Sequence, residues 1–348
     1  MAGELVVITG VSGNVGFRVL FQALAHGYKA RALVRKQSQI EHIKSIPSIE
    51  KYADNLEFAL VPDFTAPGAF DTHVADATFV VHVAAPLYST TDVPIDVAEF
   101  ASTTRNMTKN ILEAASKTPT VKRVVITASI SALFTGEAMQ KDSDVVYSWK
   151  SPICKDFITP MPEKAAGPIA YVISKVLAAL DVDQYVAEKK PHYSVASIFI
   201  GTVIGPNDLF KTATELLKSS NVLAVAPLLG MSFPPIQSVY IHLDDAAMSH
   251  IRALTIDLAP GTTRNIVSAY NTVANPDSVR WNDSIDIAKK EFPAALESGV
   301  FPLGGAVSTL KALVDSAEDE RVLGMKFKPL EVATREVISQ YVELVAKA

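Results

Sequence analysis

The sequence predicts an α/β protein built on a doubly wound parallel sheet. Two observations carry this. Short apolar runs rich in Val and Ile alternate with longer stretches of helical spacing, and the first run leads at once into a glycine-rich turn and a helix. Strands that are apolar throughout are buried on both faces, and helical crossovers between them give a parallel sheet. Right-handed crossovers then place helices on both sides of it.

Taken in order, Leu5–Thr9 reads as the first strand and Asn14–Ala25 as a helix ended by Gly27. Lys29–Val34, Glu57–Val61 and Ala77–Val83 read as the next three strands. Phe100–Lys117 carries helical spacing, Val121–Thr127 is a fifth strand, Ile169–Glu188 a helix and Ser194–Ile200 a sixth strand. The rhythm then breaks into a segment rich in Pro, Leu and Gly, from Gly201 to Ser238. Thr263–Val267 is placed to rejoin the sheet, 276–328 reads as a small helical cap, and Glu331–Val345 as a closing helix. The expected division is a dinucleotide-binding domain over 1–200, rejoined by 237–268. A smaller C-terminal substrate-binding region covers 201–236 and 269–330, followed by a terminal helix over 331–348.

Composition narrows the function. The chain has 348 residues, 49% of them hydrophobic, enough for a sizeable core, and a formal charge of −5. No basic stripe suggests a nucleic-acid partner. The one cysteine, Cys154, excludes an internal disulfide and reads as a spectator thiol. No signal peptide and no apolar stretch of membrane-spanning length is visible, so a soluble, cytoplasmic protein with no membrane partner is expected, as monomer or homodimer.

Thr9-Gly10-Val11-Ser12-Gly13-Asn14-Val15-Gly16 lies between the first strand and the first helix. In such a turn the first glycine allows the bend, the second lets a pyrophosphate approach the backbone, and the third lets helix and strand pack closely. The helix N-terminus offers N–H groups and partial positive charge to the phosphates. This is the signature of a Rossmann-type dinucleotide fold, and the absence of a following Gly-Lys-Ser/Thr disfavours a P-loop. The second strand ends Leu33-Val34-Arg35-Lys36 with no acid to hold a ribose hydroxyl, while two cations suit a 2′-phosphate. NADPH is therefore expected rather than NADH. Asp63, just after the third strand, is placed to contact the adenine, with Phe64 beside it.

Tyr171 and Lys175 stand at i and i+4 on one helix face, where a lysine cation and an oxidised nicotinamide would favour the phenolate. Ser129 ends the fifth strand, where doubly wound sheets bind ligands, with Ser131 as local competitor. This Ser129–Tyr171–Lys175 set and its spacing from the glycine loop resemble the extended short-chain dehydrogenases/reductases. The resemblance is nearest to the dihydroflavonol-reductase-like branch and its fungal carbonyl reductases. Val81-His82-Val83-Ala84-Ala85-Pro86, Lys122-Arg123-Val124-Val125-Ile126-Thr127 and Val322-Leu323-Gly324-Met325-Lys326-Phe327 add to it.

The resemblance implies hydride transfer from NADPH to a carbonyl carbon, with Tyr171 giving the proton to oxygen. It also implies a supporting role for Asn106, and cofactor contacts from Val83, Ala84, Ala85, Thr127, Ile200, Gly201 and Val203. The chain departs from the family pattern at Ala128, where a serine is usual, and at Ile200, where the next loop usually begins with proline. It departs again at Ala179, where the helix usually carries a Glu, and at His242, where many relatives have an acid. The loops 85–88, 130–134 and 201–235 are mostly apolar and point to a hydrophobic aldehyde or ketone as substrate. The alternatives are a sugar-nucleotide epimerase or dehydratase on the same scaffold, and a sensor that binds NADPH without turnover. His82 reads as a satisfied core histidine, Asp245 as a helix cap, and no histidine or cysteine spacing suggests a metal.

Overall fold

The structure is a computed structural model that describes residues 3–88 and 93–347. It forms two compact units. The first comprises Met1–Gly136, Lys150–Phe199 and Ala247–Ile266; the second comprises Glu137–Trp149, Ile200–Ala246 and Val267–Ala348.

The first unit is organised by a seven-stranded parallel sheet with flanking helices. Its strands are β1 (Leu5–Thr9), β2 (Lys29–Val34), β3 (Leu56–Leu60), β4 (Phe79–His82), β5 (Arg123–Ser129), β6 (Ser194–Ile200) and β7 (Thr263–Ser268). In the sheet they run β7-β6-β5-β4-β1-β2-β3, so the direction of winding reverses at β1. Val7 sits level with Arg31 of β2 and Val80 of β4. The helices that matter for function are α1 (Asn14–Ala25), α2 (Gln37–Lys44), α3 (Val97–Ser116) and α4 (Gly167–Lys189).

Side chains alternate between the two faces of a strand. Val7, Val80 and Val124 pack in one cluster with Met107 and Ile111 of α3 and Val182 and Val186 of α4. Their neighbours Val6, Val81 and Val125 are fully buried as well, so the strands are covered on both faces, as their unbroken apolar sequences require. Asp96 starts α3 by accepting from the Glu99 amide at 2.9 Å. Pro168 lies in the first turn of α4, where its missing N–H costs nothing. Arg123, buried at the start of β5, donates to Ser194 Oγ at 2.6 Å and to the Ala253 carbonyl at 2.8 Å.

The second unit has its own core, in which Tyr240, Trp281, Phe301, Val337 and Tyr341 cluster. Here the structure departs from the sequence expectation. The segment 276–328 is not simply helical: it contains the strands Ala306–Leu310 and Leu313–Val314. The first pairs with Ser232–Gln237 and the second with Val146–Tyr147, which draws 137–149 into this unit. Tyr240–His242 pairs with Thr202–Ile204, so 237–246 clusters here as well. The terminal helix Leu330–Ala346 packs into the same core through Val337, Ile338 and Leu344. No helix among the described residues is long and apolar enough to cross a membrane.

Candidate active site

The first unit gathers most of the expected residues at the carboxyl ends of its strands. Gly10 has φ +77°, and a Cβ there would lie 2.7 Å from the Ala84 amide nitrogen. A Cβ on Gly16 would lie 2.0 Å from the Gly10 carbonyl oxygen. Both glycines are required by the chain itself. Gly13 differs: its φ is −102°, and a Cβ would meet only the Gly10 oxygen, at an ordinary 3.4 Å. Nothing among the described residues needs a glycine there, and the side left open is free for a ligand. Gly13 is also the N-cap of α1 and caps it with no side chain, so the amides at Asn14, Val15 and Gly16 lie at an end without a side-chain cap.

Arg35 and Lys36 follow β2. Both are exposed, and among the described residues neither is paired with a carboxylate. Their backbone is held by Gln39, a residue the sequence reading passed over. Gln39 Oε1 accepts from the Arg35 and Lys36 amides at 2.9 and 3.1 Å, while its Nε2 donates to Ser12 Oγ at 2.8 Å. One side chain thus ties the basic turn to the glycine loop. The two observations, an open cradle at Gly13 and two unpaired cations tied to it, fit a dinucleotide carrying an additional phosphate.

Asp63 is exposed after β3 and accepts from the Thr65 amide at 2.8 Å and the Thr65 hydroxyl at 2.6 Å. Those bonds hold its carboxyl below the usual range. The Phe64 side chain is not at this rim. It is buried against Phe70, with ring centroids 5.2 Å apart, so only its backbone faces the loop. Asn110 of α3 fixes that backbone by donating to the Phe64 and Ala66 carbonyls at 3.1 and 2.9 Å.

At the end of β4, the Ala84 amide donates to Thr9 Oγ1 at 3.2 Å, and Thr9 Oγ1 lies 2.9 Å from His82 Nδ1. Burial, reinforced by Lys175, pushes His82 down to about 3, so it is neutral. Val83 and Ala85 flank this junction and are half-buried.

Tyr171 and Lys175 project together from α4. Lys175 Nζ lies 5.7 Å from the Tyr171 ring centre and donates to the Thr127 carbonyl at 3.3 Å. Ser129 stands near the Tyr171 phenol and lowers its pKa, and its Oγ lies 2.8 Å from Ser131 Oγ. Tyr88 meets Tyr171 edge-on at 6.0 Å and rests on Gly167, where a Cβ would come within 2.5 Å of its ring. The electrostatics correct one expectation. Burial pushes Tyr171 up to about 12, a rise that Ser129 opposes and Tyr88 reinforces. Burial also brings Lys175 down to about 8. Desolvation is the largest of these effects, and the phenol keeps its proton.

A profile of the NAD dependent epimerase/dehydratase family matches residues 6–219. The chain belongs to this family. As an extended short-chain dehydrogenase/reductase it is a nicotinamide-dependent enzyme, and its relatives place it among the oxidoreductases. "Ketoreductase CTB6" of Cercospora beticola is 32% identical, over 100% of this chain and 97% of the relative. "Aldehyde reductase 2" of Sporidiobolus salmonicolor is 29% identical over 86% of this chain and 84% of the relative. The fold is shared with the yeast methylglyoxal/isovaleraldehyde reductase Gre2, solved with NADPH. That match has a TM-score of 0.77 and 21% identity over 99% of this chain and 100% of that one.

Other expected residues fall elsewhere. Asn106 is exposed on α3, while Thr104 and Thr108 occupy the face turned toward Lys175. The Thr127 hydroxyl is engaged 2.7 Å from His250 Nε2, leaving its carbonyl for Lys175. Ile200, Gly201 and Val203 cluster with the second unit. There the Gly201 amide donates to the Ser268 carbonyl at 3.0 Å, and Val203 is buried in the strand paired with Tyr240–His242. His242 takes a structural role: Asp244 N donates to its Nδ1 at 3.0 Å, and its Nε2 lies 3.0 Å from Glu336. Asp245 stands in the first turn of its helix. It lies within Leu243–Ala253 and accepts from the Lys328 amide at 2.6 Å. Burial pushes the Cys154 thiol up, in keeping with a spectator.

Proposed function

We propose that this protein is an NADPH-dependent carbonyl reductase that converts an apolar aldehyde or ketone to the alcohol. The observation that carries the reading is the pair on one helix face, with Lys175 Nζ 5.7 Å from the Tyr171 ring centre, beside the buried Ser129 at the end of β5. The names of the curated relatives, ketoreductase and aldehyde reductase, point the same way.

In this reading Gly10, Gly13, Gly16 and the start of α1 cradle the pyrophosphate, with Arg35 and Lys36 on the 2′-phosphate. Asp63 and the Phe64 backbone stand at the adenine side, and Ala84 on the strand next to β1. When bound, NADPH supplies the hydride that reduces the carbonyl carbon. Ser129 donates a hydrogen bond to the carbonyl oxygen and orients it toward Tyr171. Tyr171, kept protonated by burial, transfers its phenolic proton to that oxygen as negative charge develops there. Lys175 then faces the newly formed phenolate, and its ammonium stabilises that anion in a site of low dielectric. A phenol that resists ionisation is the right resting state for reduction, because the alkoxide it must quench is a far stronger base.

The test is NADPH consumption against a panel of apolar aldehydes and ketones, with NADH in parallel. Turnover favouring NADPH is expected. Tight NADPH binding with no turnover on any carbonyl would overturn the reading.

A further inference from the structure

Below the catalytic set, between α3, α4 and the sheet, lies a cavity of about 20 Å³. Its walls include His82, Thr104, Lys175, Ala179 and Ser197. A water molecule needs roughly 10–15 Å³ of such space and two to four polar partners. Two partners are waiting. Among the described residues His82 Nε2 and Thr104 Oγ1 are buried and bonded to nothing, in residues only 2% and 3% exposed. An unsatisfied buried donor or acceptor is costly, and native proteins keep few of them.

The bonding around His82 fixes what its Nε2 offers. Thr9 Oγ1 already accepts from the Ala84 amide. Among the described residues, His82 Nδ1, 2.9 Å away, is the acceptor its own proton finds. A neutral imidazole that accepts at Nδ1 carries its proton on Nε2. A donor therefore faces the cavity, with a hydroxyl on the same wall. The space exists because Ala179, one helical turn beyond Lys175, ends at a methyl group.

We propose that this cavity is a structural water site, in which one water accepts from His82 Nε2–H and bonds Thr104 Oγ1 beside Lys175. The water closes a chain that runs from the Ala84 amide through Thr9 and His82 to α3. It thereby links the β1–β4 junction, against which Gly10 packs, to the wall that carries Lys175. The site itself does not depend on the proposed reduction; only its bearing on Lys175 rests on that reading.

The test needs no substrate. A crystal structure of the full chain at a resolution that shows ordered water should place one water within hydrogen-bond distance of both atoms. ¹⁵N spectra of histidine-labelled protein should show His82 neutral with its proton on Nε2. Thr104→Val, nearly the same shape, should remove the water. It should also raise the dissociation constants of NADPH and NADH alike, by about two- to fivefold, because one hydrogen bond of the chain is lost. Ala179→Glu should expel the water and give His82 an anionic partner, so that its ¹⁵N spectrum becomes that of an imidazolium. An empty cavity, a His82 ring turned so that Nε2 bonds protein, or a water unmoved in both variants would overturn the proposal. An ordered water in a protein that reduces no carbonyl would instead overturn the reductase reading alone.

Discussion

The first unit carries two cationic sites built on opposite physical terms. Lys175 is buried, and the loss of hydration brings its pKa down to about 8. Arg35 and Lys36 are exposed and hydrated, and Gln39 holds their backbone. A buried charge interacts strongly at short range but is costly to keep, which suits a group that acts on charge developing during a reaction. A hydrated charge costs little to keep and attracts an anion over a longer range, which suits recognition of a phosphate. Variants at the buried site should therefore lose rate, and variants at the exposed turn should lose affinity and cofactor choice.

The largest effect is expected from Tyr171→Phe. Removing a general acid costs about 10²–10⁴-fold in rate. Turnover should fall by about 10³-fold while the NADPH dissociation constant, measured by fluorescence titration, stays within about twofold of the parent. Substantial residual turnover would take the proton donor away from Tyr171. A loss confined to NADPH binding would erase the division between the two sites.

Lys175→Met should follow, with turnover down by about 10²-fold and a signature in stability that a packing role would not give. Between about pH 8, to which burial lowers its pKa in the folded protein, and its ordinary 10.5, the unfolded chain holds a proton that the folded chain has released. Stability of the unliganded protein should therefore rise with pH across that window. Below the window the folded protein carries the whole cost of the buried ammonium, about 3 kcal/mol. The methionine variant should lose the slope and be the more stable protein at neutral pH. Urea unfolding of both proteins at stepped pH checks this, and parallel curves would mean that Lys175 is not desolvated.

What could be read in the sequence follows the same physics. β1, α1, β2 and β6 fall where the apolar runs and the glycines placed them, because strands covered on both faces leave an unbroken apolar trace. That Tyr171 and Lys175 project together was legible from helix geometry. Asn106 was not: family position suggested it, but helical phase puts it with exposed Arg105 and Lys109, opposite Met107, Thr108 and Ile111. That phase was present in the sequence and would have pointed to Thr104 and Thr108. The second unit was obscure for a different reason. Ser232–Gln237 contains Pro234 and Pro235, which lack the amide a strand needs, and its pairing with Ala306–Leu310 shifts register there. Partners some 70 residues away leave no local periodicity to read. Gln39 was passed over because a glutamine early in a helix carries no motif; its role exists only in three dimensions.

At the exposed turn Arg35→Ala should weaken NADPH by about 10–100-fold, the range for a charged hydrogen-bonding partner of a phosphate, and leave NADH nearly unchanged. The parent's preference for NADPH should also shrink as salt is added, because the site is in contact with water. A preference that survives both the substitution and high salt would mean that the 2′-phosphate is held elsewhere.

Gln39→Ala should have the smallest effect. Gln39 is a positioning residue: it touches no phosphate in this reading but fixes the Arg35 and Lys36 backbone against Ser12 through three hydrogen bonds. The amides it serves are exposed and water can replace it, so about 1 kcal/mol is at stake, or roughly fivefold in the NADPH dissociation constant with turnover at saturation unchanged. An effect of that size could come from any loosened loop, so the deciding measurement is the double variant. If Gln39 acts by aiming Arg35, Gln39→Ala made in the Arg35→Ala background should add little, whereas independent contributions would simply add. Additivity, or an equal loss of NADH affinity, would separate Gln39 from the 2′-phosphate and leave the exposed turn as two cations held in place by the strand that precedes them.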